Sequence, residues 1–264
     1  MATAKVHNEV ILAALTYTCH ALVLKRIKLG ESDVICTLLC SDGSQLRAVA
    51  KGARKPTSAF SSRLELFSVC DLLLAKGKNL DIIKEARLIS AHMQVKTDIS
   101  MLEAASPILE FLEKTTQVDL PVPRIYDLTN KALTSFSRVE EDNLKITVAF
   151  LLKALAFLGF KPSFSSCVLC GEQVSTNTVT PISFSSLEGG VVCENCLRFT
   201  QTVFFSSELI HWLEVLLYSS FEEVIEYALT NAFSLELLRI LSDLITAHMG
   251  ISLKSLRFLF SHPF

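Results

Sequence analysis

The sequence predicts an α+β protein, in which an N-terminal five-stranded barrel is followed by an all-helical domain with an inserted four-cysteine, zinc-ribbon-like element. Three observations support this prediction. Up to about residue 92, short apolar runs alternate with turn-forming residues. From about residue 99, apolar residues recur at helical spacing. Two Cys-x-x-Cys pairs lie between two of the predicted helices.

The composition fits a folded protein of one large or two modest domains. Half of the 264 residues are apolar and 20% are charged, so a packed core can form. The formal net charge of −2 gives no overall attraction for a polyanion. Any binding of nucleic acid must therefore depend on local charge.

No apolar stretch indicates a membrane span or a secretion signal. The run 10–15 is too short for a signal peptide and no cleavage site follows it. The longer run 146–160 is interrupted by Lys153. We therefore expect a cytoplasmic protein without a membrane partner.

Five strands are predicted in a first domain, residues 1–92, of which residues 1–15 form an N-terminal extension. The strands are Thr16–Leu29, Val34–Cys40, Gln45–Lys51, Leu64–Lys76 and Leu80–Ile89. In the first strand, simple alternation places Arg26 and Lys28 on the face opposite Val23. Hairpin-like links between successive strands favour a small closed barrel. The OB-fold is the usual five-stranded solution, and an SH3-type barrel is the alternative.

The second predicted domain, residues 95–264, is helical, with the four-cysteine insertion at residues 163–200. Its main helices are Ser100–Thr116, Pro123–Ser137, Glu141–Phe160, Ser207–Tyr218 and Leu235–Met249. In the third of these, Leu144, Val148 and Leu151 recur at helical spacing, which indicates an amphipathic or buried helix.

The strongest chemical signal is the two pairs Cys167/Cys170 and Cys193/Cys196, which are separated by 22 residues. Two residues between thiolates let both sulfurs of a pair point at one cation, and two pairs complete a tetrahedron that suits zinc. The intervening segment contains a Gly-Gly turn, so a hairpin can bring the pairs together. Four thiolates leave no open position for water, so we predict one structural Zn²⁺. A redox role for the pairs is the alternative.

The other cysteines, Cys19, Cys36, Cys40 and Cys70, lie in apolar segments. The simplest interpretation is that each is a small buried side chain with a reduced thiol, as is usual in the cytosol.

No catalytic motif is recognisable in the sequence. It contains no Walker-type phosphate loop, no H-E-x-x-H and no G-x-S-x-G, and its six histidines are isolated from one another. We therefore predict that the protein is not an enzyme. A hydrolase or nuclease with an unrecognised carboxylate site is the alternative.

A cationic segment, residues 43–64, contains five bases and no acid. Its bases are Arg47, Lys51, Arg54, Lys55 and Arg63. Lys25 and Arg26 on the first strand extend the positive charge if the barrel closes. Gly52 allows backbone amides to approach an anion closely. Such a surface binds a phosphate backbone without reading sequence, and an ordinary solvated loop is the alternative.

Few aromatic side chains accompany these bases. Phe67 is expected to face the core, which leaves Phe60 as the candidate for stacking on a base. We therefore expect mainly electrostatic binding, which tolerates both single- and double-stranded DNA and weakens steeply with salt.

The stretch GESDVICTLLCSDGSQLRAVAKGARKPTSAFSSRLELF, residues 30–67, resembles the N-terminal domain of the RecO family of bacterial recombination mediators. The part of this stretch that is most specific to the family is the GESD turn followed, at this spacing, by KGARKP. The family's basic motif falls on Lys51, Arg54 and Lys55, and the resemblance continues through the helical domain with its cysteine quartet. Thr57 and Ala59 stand where more bases are expected, which implies a lower affinity for DNA.

The resemblance implies a function as well as a fold. Members of the family have an N-terminal OB-fold and a helical domain that often carries zinc. They bind single- and double-stranded DNA and anneal complementary strands. With RecR and the C-terminal tail of single-strand-binding protein as partners, they help to load the recombinase on coated single strands in gap and break repair. The expected location is the cytoplasm, in association with the nucleoid.

A zinc-ribbon adaptor that binds proteins, with the basic segment as a bystander, is the alternative function. The cysteine quartet and the large helical domain favour it. The two functions differ in one measurable property, since the adaptor does not bind DNA even at low salt.

Overall fold

The computed structural model of the chain describes residues 15–176 and 178–262, and its first part is a barrel. The five strands are β1 Thr16–Leu29, β2 Asp33–Cys40, β3 Gln45–Ala50, β4 Val69–Ala75 and β5 Asp81–Ser90. They close in the order β1-β2-β3-β5-β4. Neighbours are antiparallel except β3 and β5, which are parallel. This Greek-key arrangement is an OB-fold and confirms the predicted barrel.

The first strand does not alternate as predicted. Its register with β2 shifts between Val23 and Lys25, which marks a β-bulge. After the bulge, Arg26 pairs with Cys36, a residue of the barrel core, so Arg26 lies on the same face as Val23. The predicted placement on opposite faces is therefore wrong, because simple alternation does not anticipate an extra residue.

The fourth strand begins later than predicted, at Val69 rather than Leu64. Before it, residues Phe60–Arg63 form the short helix α1, and the chain then turns at Phe67 with a φ of 64°. Leu64 packs in the barrel core, whereas Phe67 packs among the helices. Residues 64–76 therefore resemble one continuous strand in sequence, although Leu64 and Phe67 belong to two different hydrophobic cores.

The helical region surrounds one buried helix. Its helices are α2 Met93–Thr97, α3 Ile99–Thr115, α4 Pro123–Phe136, α5 Leu144–Phe157, α6 Ser207–Tyr218, α7 Phe221–Glu226, α8 Asn231–Met249 and α9 Lys254–Ser261. The central helix α5 packs against α3, α4, α6, α7 and α8. The main helices predicted from the sequence do not include α2, α7 and α9, which are the shortest helices of this region. Among the described residues, no helix combines the length and apolarity needed to cross a membrane.

A small sheet lies between α5 and α6, where the cysteine insertion was predicted. Its strands are β6 Ile182–Ser185, β7 Gly190–Val191 and β8 Val203–Phe205, in the order β7-β6-β8. A 3₁₀ helix, Glu194–Phe199, connects β7 to β8. The hairpin predicted between the cysteine pairs is thus formed by β6 and β7.

The barrel and the helices share a hydrophobic core. Leu22, Leu24 and Leu39 of the barrel belong to the same cluster of buried side chains as the helices. The division into residues 1–92 and 95–264 therefore stays a prediction about folding units. Most of the predicted N-terminal extension lies outside the described residues.

A second contact fixes the barrel against the chain between α3 and α4. The side-chain amide of Gln45 donates hydrogen bonds to the carbonyl oxygens of Glu113 and Thr116, at 2.9 and 3.2 Å. A Cβ atom at Gly43 would lie 2.0 Å from the carbonyl oxygen of Val122. The backbones touch here, so glycine is required.

The carboxylate of Glu110 on α3 holds the N-terminus of α9. It accepts hydrogen bonds from the backbone N–H groups of Lys254 and Ser255, at 2.9 and 2.8 Å. Burial opposes its ionisation, but these bonds, the Ser255 hydroxyl and the Lys114 ammonium outweigh burial and lower the pKa of Glu110 from 4.5 to about 2. The last helix is therefore fixed by a charge at its positive end.

Replacement of Glu110 by Gln is expected to reduce the free energy of unfolding at neutral pH by about 1–2 kcal/mol, after allowance for solvent screening. Because the folded-state pKa lies below the unfolded one, this contribution is present above about pH 4.5 and is lost as the pH falls towards 2. Urea unfolding at pH 7 and pH 3 measures it, with Glu103→Gln on the same helix as the control. An equal gap between Glu110→Gln and wild type at both pH values would contradict the assignment.

Candidate metal centre and basic surface

The four cysteines predicted to bind metal come together. Their sulfur atoms all lie within 4.8 Å of one another, and those of Cys170 and Cys193 are 3.6 Å apart. Three of the thiols are buried and Cys170 is exposed. The four cysteines therefore lie close enough to hold a metal ion.

Each pair is shaped by its own backbone. The carbonyl oxygen of Cys167 accepts a hydrogen bond from the N–H of Gly171 at 2.8 Å, and the N–H of Cys167 donates to the carbonyl oxygen of Glu172 at 2.8 Å. Gly171 has a φ of 78°, a conformation that glycine adopts without strain. In the second pair, the N–H of Cys196 donates to the carbonyl oxygen of Cys193 at 3.0 Å, at the start of the 3₁₀ helix. Both turns direct two sulfurs to the same side.

The hairpin β6–β7 joins the two pairs. The N–H of Val168 donates to the carbonyl oxygen of Val191 at 3.0 Å, and the N–H of Val191 donates to the carbonyl oxygen of Ser163 at 2.9 Å. A Cβ atom at Gly190 would lie 2.4 Å from the carbonyl oxygen of Ser163 and 2.6 Å from Cγ1 of Val168. The segment before the first pair therefore packs directly on the strand before the second pair.

Substitution of Gly190 by Ala is expected to separate the two pairs, because the added methyl group meets backbone and cannot be accommodated without a shift. Overpacking of this kind costs about 1–3 kcal/mol. We expect faster loss of bound metal to a chelator, measured with a colorimetric metal indicator. Leu187→Ala, at the exposed end of the same hairpin, is the matched control. Equal rates of metal loss from the two variants would contradict this role of Gly190.

The electrostatics of the thiols favour a cation. Burial opposes ionisation of Cys167, but the backbone N–H groups of Cys193, Leu169 and Cys170 outweigh it and lower the pKa of the Cys167 thiol to about 6. Burial, Glu172 and the neighbouring cysteines raise the pKa of Cys193. One thiolate thus forms readily, and further thiolates repel it unless a metal ion compensates their charge. A donor set of four thiolates fits zinc.

Three of the predicted bases, Lys51, Arg54 and Lys55, lie on one tight turn, which we call the basic turn. It packs on the turn between β1 and β2. The N–H of Arg54 donates to the carbonyl oxygen of Ser32 at 2.8 Å, and the guanidinium of Arg54 donates to the carbonyl oxygen of Gly30 at 3.1 Å. These contacts hold the three bases on one part of the surface.

The charge of the basic turn is largely uncompensated. All three bases are exposed, and none forms an ion pair within the described part of the chain. Asp33 accepts a hydrogen bond from the N–H of Gly52 at 2.8 Å. This bond, the Ser32 hydroxyl and the nearby Lys51 and Lys55 lower the pKa of Asp33. Asp33 therefore orders the turn and offsets part of its charge.

Comparison with known proteins gives the family. The family models described as Recombination protein O N terminal and Recombination protein O C terminal match residues 14–92 and 96–257. This chain belongs to the RecO family. The resemblance predicted from residues 30–67 is thereby confirmed.

Relatives named DNA repair protein RecO match about two thirds of the chain. The one from Bifidobacterium longum (strain DJO10A) is 34% identical over 180 residues, which cover 67% of this chain and 73% of the relative. The one from Bifidobacterium animalis subsp. lactis is 37% identical over 186 residues, covering 68% and 73%. The one from Thermoanaerobacter sp. is 32% identical over 176 residues, covering 67% and 69%.

In this RecO-family barrel, Lys25, Thr37 and Arg47 form a row on the face of the sheet opposite the barrel core, and Thr37 is buried there. The ammonium of Lys25 pairs with Glu113 at 2.9 Å, so its charge is compensated by the helical region. Arg47 is exposed and lines a cavity of about 680 Å³ beside Asp42. Neither residue adjoins the basic turn directly.

The remaining predicted bases, Arg26 and Arg63, lie on other elements, β1 and α1. Arg26 is half-buried on the inner face of the barrel. The guanidinium of Arg63 donates to the carbonyl oxygen of Ala86 on β5 at 3.0 Å. The predicted DNA-binding set therefore has three members on the basic turn and four on other elements of the barrel, and its role stays a prediction.

Sequence reasoning missed two bases near Arg63. Lys84 and Arg87 of β5 line the same groove of about 1040 Å³ as Arg63 and the half-buried Phe60. Arg87 is ion-paired with Asp71. Lys84 lies where the register between β4 and β5 shifts, so alternation along the strand gives no indication of where it points.

Proposed function

We propose that this RecO-family protein is a non-enzymatic recombination mediator in DNA repair, which binds single- and double-stranded DNA and anneals complementary strands. The observation that carries the proposal is the basic turn, three exposed bases on one turn of an OB-fold with no ion pair among the described residues. The relatives' name, DNA repair protein RecO, supports it.

Annealing fits this chemistry. Two complementary strands are polyanions, and a cationic surface lowers their repulsion without breaking a covalent bond. Lys51, Arg54 and Lys55 present their charges as exposed side chains, whereas the N–H of Gly52 is already bonded to Asp33. Phosphate contacts of this kind carry no sequence information, which suits a protein that acts on any gap.

The bound metal in this proposal is one Zn²⁺ held by Cys167, Cys170, Cys193 and Cys196. Its role is structural, because four thiolates occupy all tetrahedral positions. The ion would hold the two cysteine turns together, where few apolar side chains pack.

The partners proposed are RecR and the C-terminal tail of single-strand-binding protein, and the outcome is loading of the recombinase on coated single strands. These partners rest on the family. The barrel is proposed as the DNA-binding unit and the helical region as the unit for protein partners. Such a protein works in the cytoplasm, in association with the nucleoid.

The test is annealing of complementary strands coated with single-strand-binding protein, across a salt series, with fluorescence anisotropy on naked DNA in parallel. We expect annealing and binding that both weaken steeply as salt rises. Absence of DNA binding at low salt would reject the proposal and favour the protein adaptor. Cleavage of the DNA on addition of Mg²⁺ or Mn²⁺ would favour a nuclease instead.

A further inference from the structure

Two thiols that the proposed function does not use lie in contact at one end of the barrel. Cys19 on β1 and Cys40 at the end of β2 have sulfur atoms 3.1 Å apart. Cys40 pairs with Ala21, two residues after Cys19, so both side chains lie on the same face of the sheet. The separation is about 1 Å longer than a disulfide bond, so the two sulfurs must approach by that amount for the bond to form.

The surroundings of this pair allow a reaction. Both cysteines line an open cavity of about 680 Å³ together with Asp42 and Ser44, so a small solute reaches them. The S–H of Cys19 donates to the sulfur of Cys40, which lowers the pKa of Cys40. A thiolate is the reactive form of cysteine, and a second thiol already touches it.

Two other cysteines of the barrel, Cys36 and Cys70, can be compared with Cys19 and Cys40. Cys36 and Cys70 are buried in the barrel core, and burial raises the pKa of each to about 11. Among the described residues, neither forms a sulfur–sulfur contact within hydrogen-bonding distance. Proximity and access are therefore properties of Cys19 and Cys40 and not of barrel cysteines in general.

We propose that Cys19 and Cys40 form a reversible disulfide when the protein meets a peroxide. The thiolate of Cys40 attacks one oxygen of hydrogen peroxide, the O–O bond breaks, and a sulfenic acid and hydroxide are produced. The sulfur of Cys19 then attacks the sulfenic sulfur; the S–S bond forms, the S–O bond breaks, and the proton of Cys19 leaves with the hydroxide as water. Two thiols are oxidised and one peroxide is reduced to two waters. A dithiol reverses the reaction by exchange.

The link would close a loop over residues 20–39 and join β1 to β2 beside the contact of Gln45 with the helical region. The basic turn lies at the other end of β2, next to Asp33. Oxidation is therefore expected to stiffen the barrel at its junction with the helices. A loop of this length gives a rise in the thermal midpoint of roughly 5–10 °C.

The experiment uses the wild-type protein as purified, without DNA, so its outcome does not depend on the proposed function. The protein is treated with equimolar hydrogen peroxide, remaining thiols are alkylated, and a non-reducing tryptic digest is analysed by mass spectrometry. We expect peptide 6–25 linked to peptide 29–47, with fragmentation placing the bond at Cys40 rather than Cys36. Treatment with dithiothreitol before alkylation should abolish the linked species.

Variants check the assignment. Cys36→Ala should retain the linked peptide, whereas Cys19→Ser and Cys40→Ser should lose it. Should a serine variant fail to fold, the wild-type fragmentation pattern alone decides. Separate alkylation of Cys19 and Cys40 after peroxide treatment, or a link from Cys19 to Cys36, would overturn the proposal.

Discussion

Alanine at Lys51, Arg54 and Lys55 together is expected to weaken binding to single-stranded DNA by about 10- to 100-fold at low salt. The three side chains are exposed on one turn, so each is free to contact a phosphate. Loss of three contacts should also flatten the log–log salt dependence by about 2. Fluorescence anisotropy of a labelled oligonucleotide, titrated at several salt concentrations, measures both effects.

The effect should not arise from unfolding. The bases are exposed, and of their side chains Arg54 makes a hydrogen bond, to the carbonyl oxygen of Gly30. Exposed substitutions usually change stability by less than about 0.5 kcal/mol. A matched control removes the same charge from exposed bases on or next to α4, namely Arg124, Lys131 and Arg138. Equal loss of DNA binding in both triple variants would show that net charge, rather than the basic turn, determines affinity.

The elements that the sequence predicted correctly are those with local signals. β1 coincides with the predicted first strand, and α6 with the predicted Ser207–Tyr218 helix. The grouping of the four cysteines was also predicted from the sequence, because the spacing within each pair is the geometric requirement for binding a shared cation. Local chemistry was sufficient in these places.

The features that escaped prediction depend on distant parts of the chain. The bulge near Val23 reverses the face of Arg26, and it is set by pairing with β2. The turn at Phe67 exists because its ring enters the helical core. The helix α9 is held by Glu110, whose sequence distance from Ser255 is too great for any periodicity to reveal. Strand register and tertiary contacts determine these features, and the pattern of residues in a single sequence does not contain that information.

Removal of the metal is expected to loosen the insertion while the barrel stays folded. Among the described residues, the cluster around the four sulfurs contains one buried apolar side chain other than cysteine, Val192, with Val168, Val174 and Leu197 partly buried beside it. So small a core cannot order the two cysteine turns without the metal, whereas Ile182, Phe184 and Val191 pack the hairpin into the helical core. Hydrogen exchange should therefore rise at the two cysteine turns, residues 165–174 and 192–199, after chelation, with little change in the hairpin β6–β7 or in the strands of the barrel. Elemental analysis should find one zinc ion per chain, and its absence from carefully reduced protein would contradict the assignment.

The four ligands should not be equally sensitive to replacement. Cys170 is the exposed member, so in Cys170→Ser water can reach the open position and three thiolates still hold the ion. Cys167 is 2% exposed, so Cys167→Ser leaves a hydroxyl that binds zinc poorly, in a place where water does not readily enter. We expect weaker but measurable zinc binding by the first variant and loss of the ion from the second, measured by competition with a chelator. Equal affinities would contradict this, because they would mean that burial of the sulfurs does not determine how tightly the ion is held.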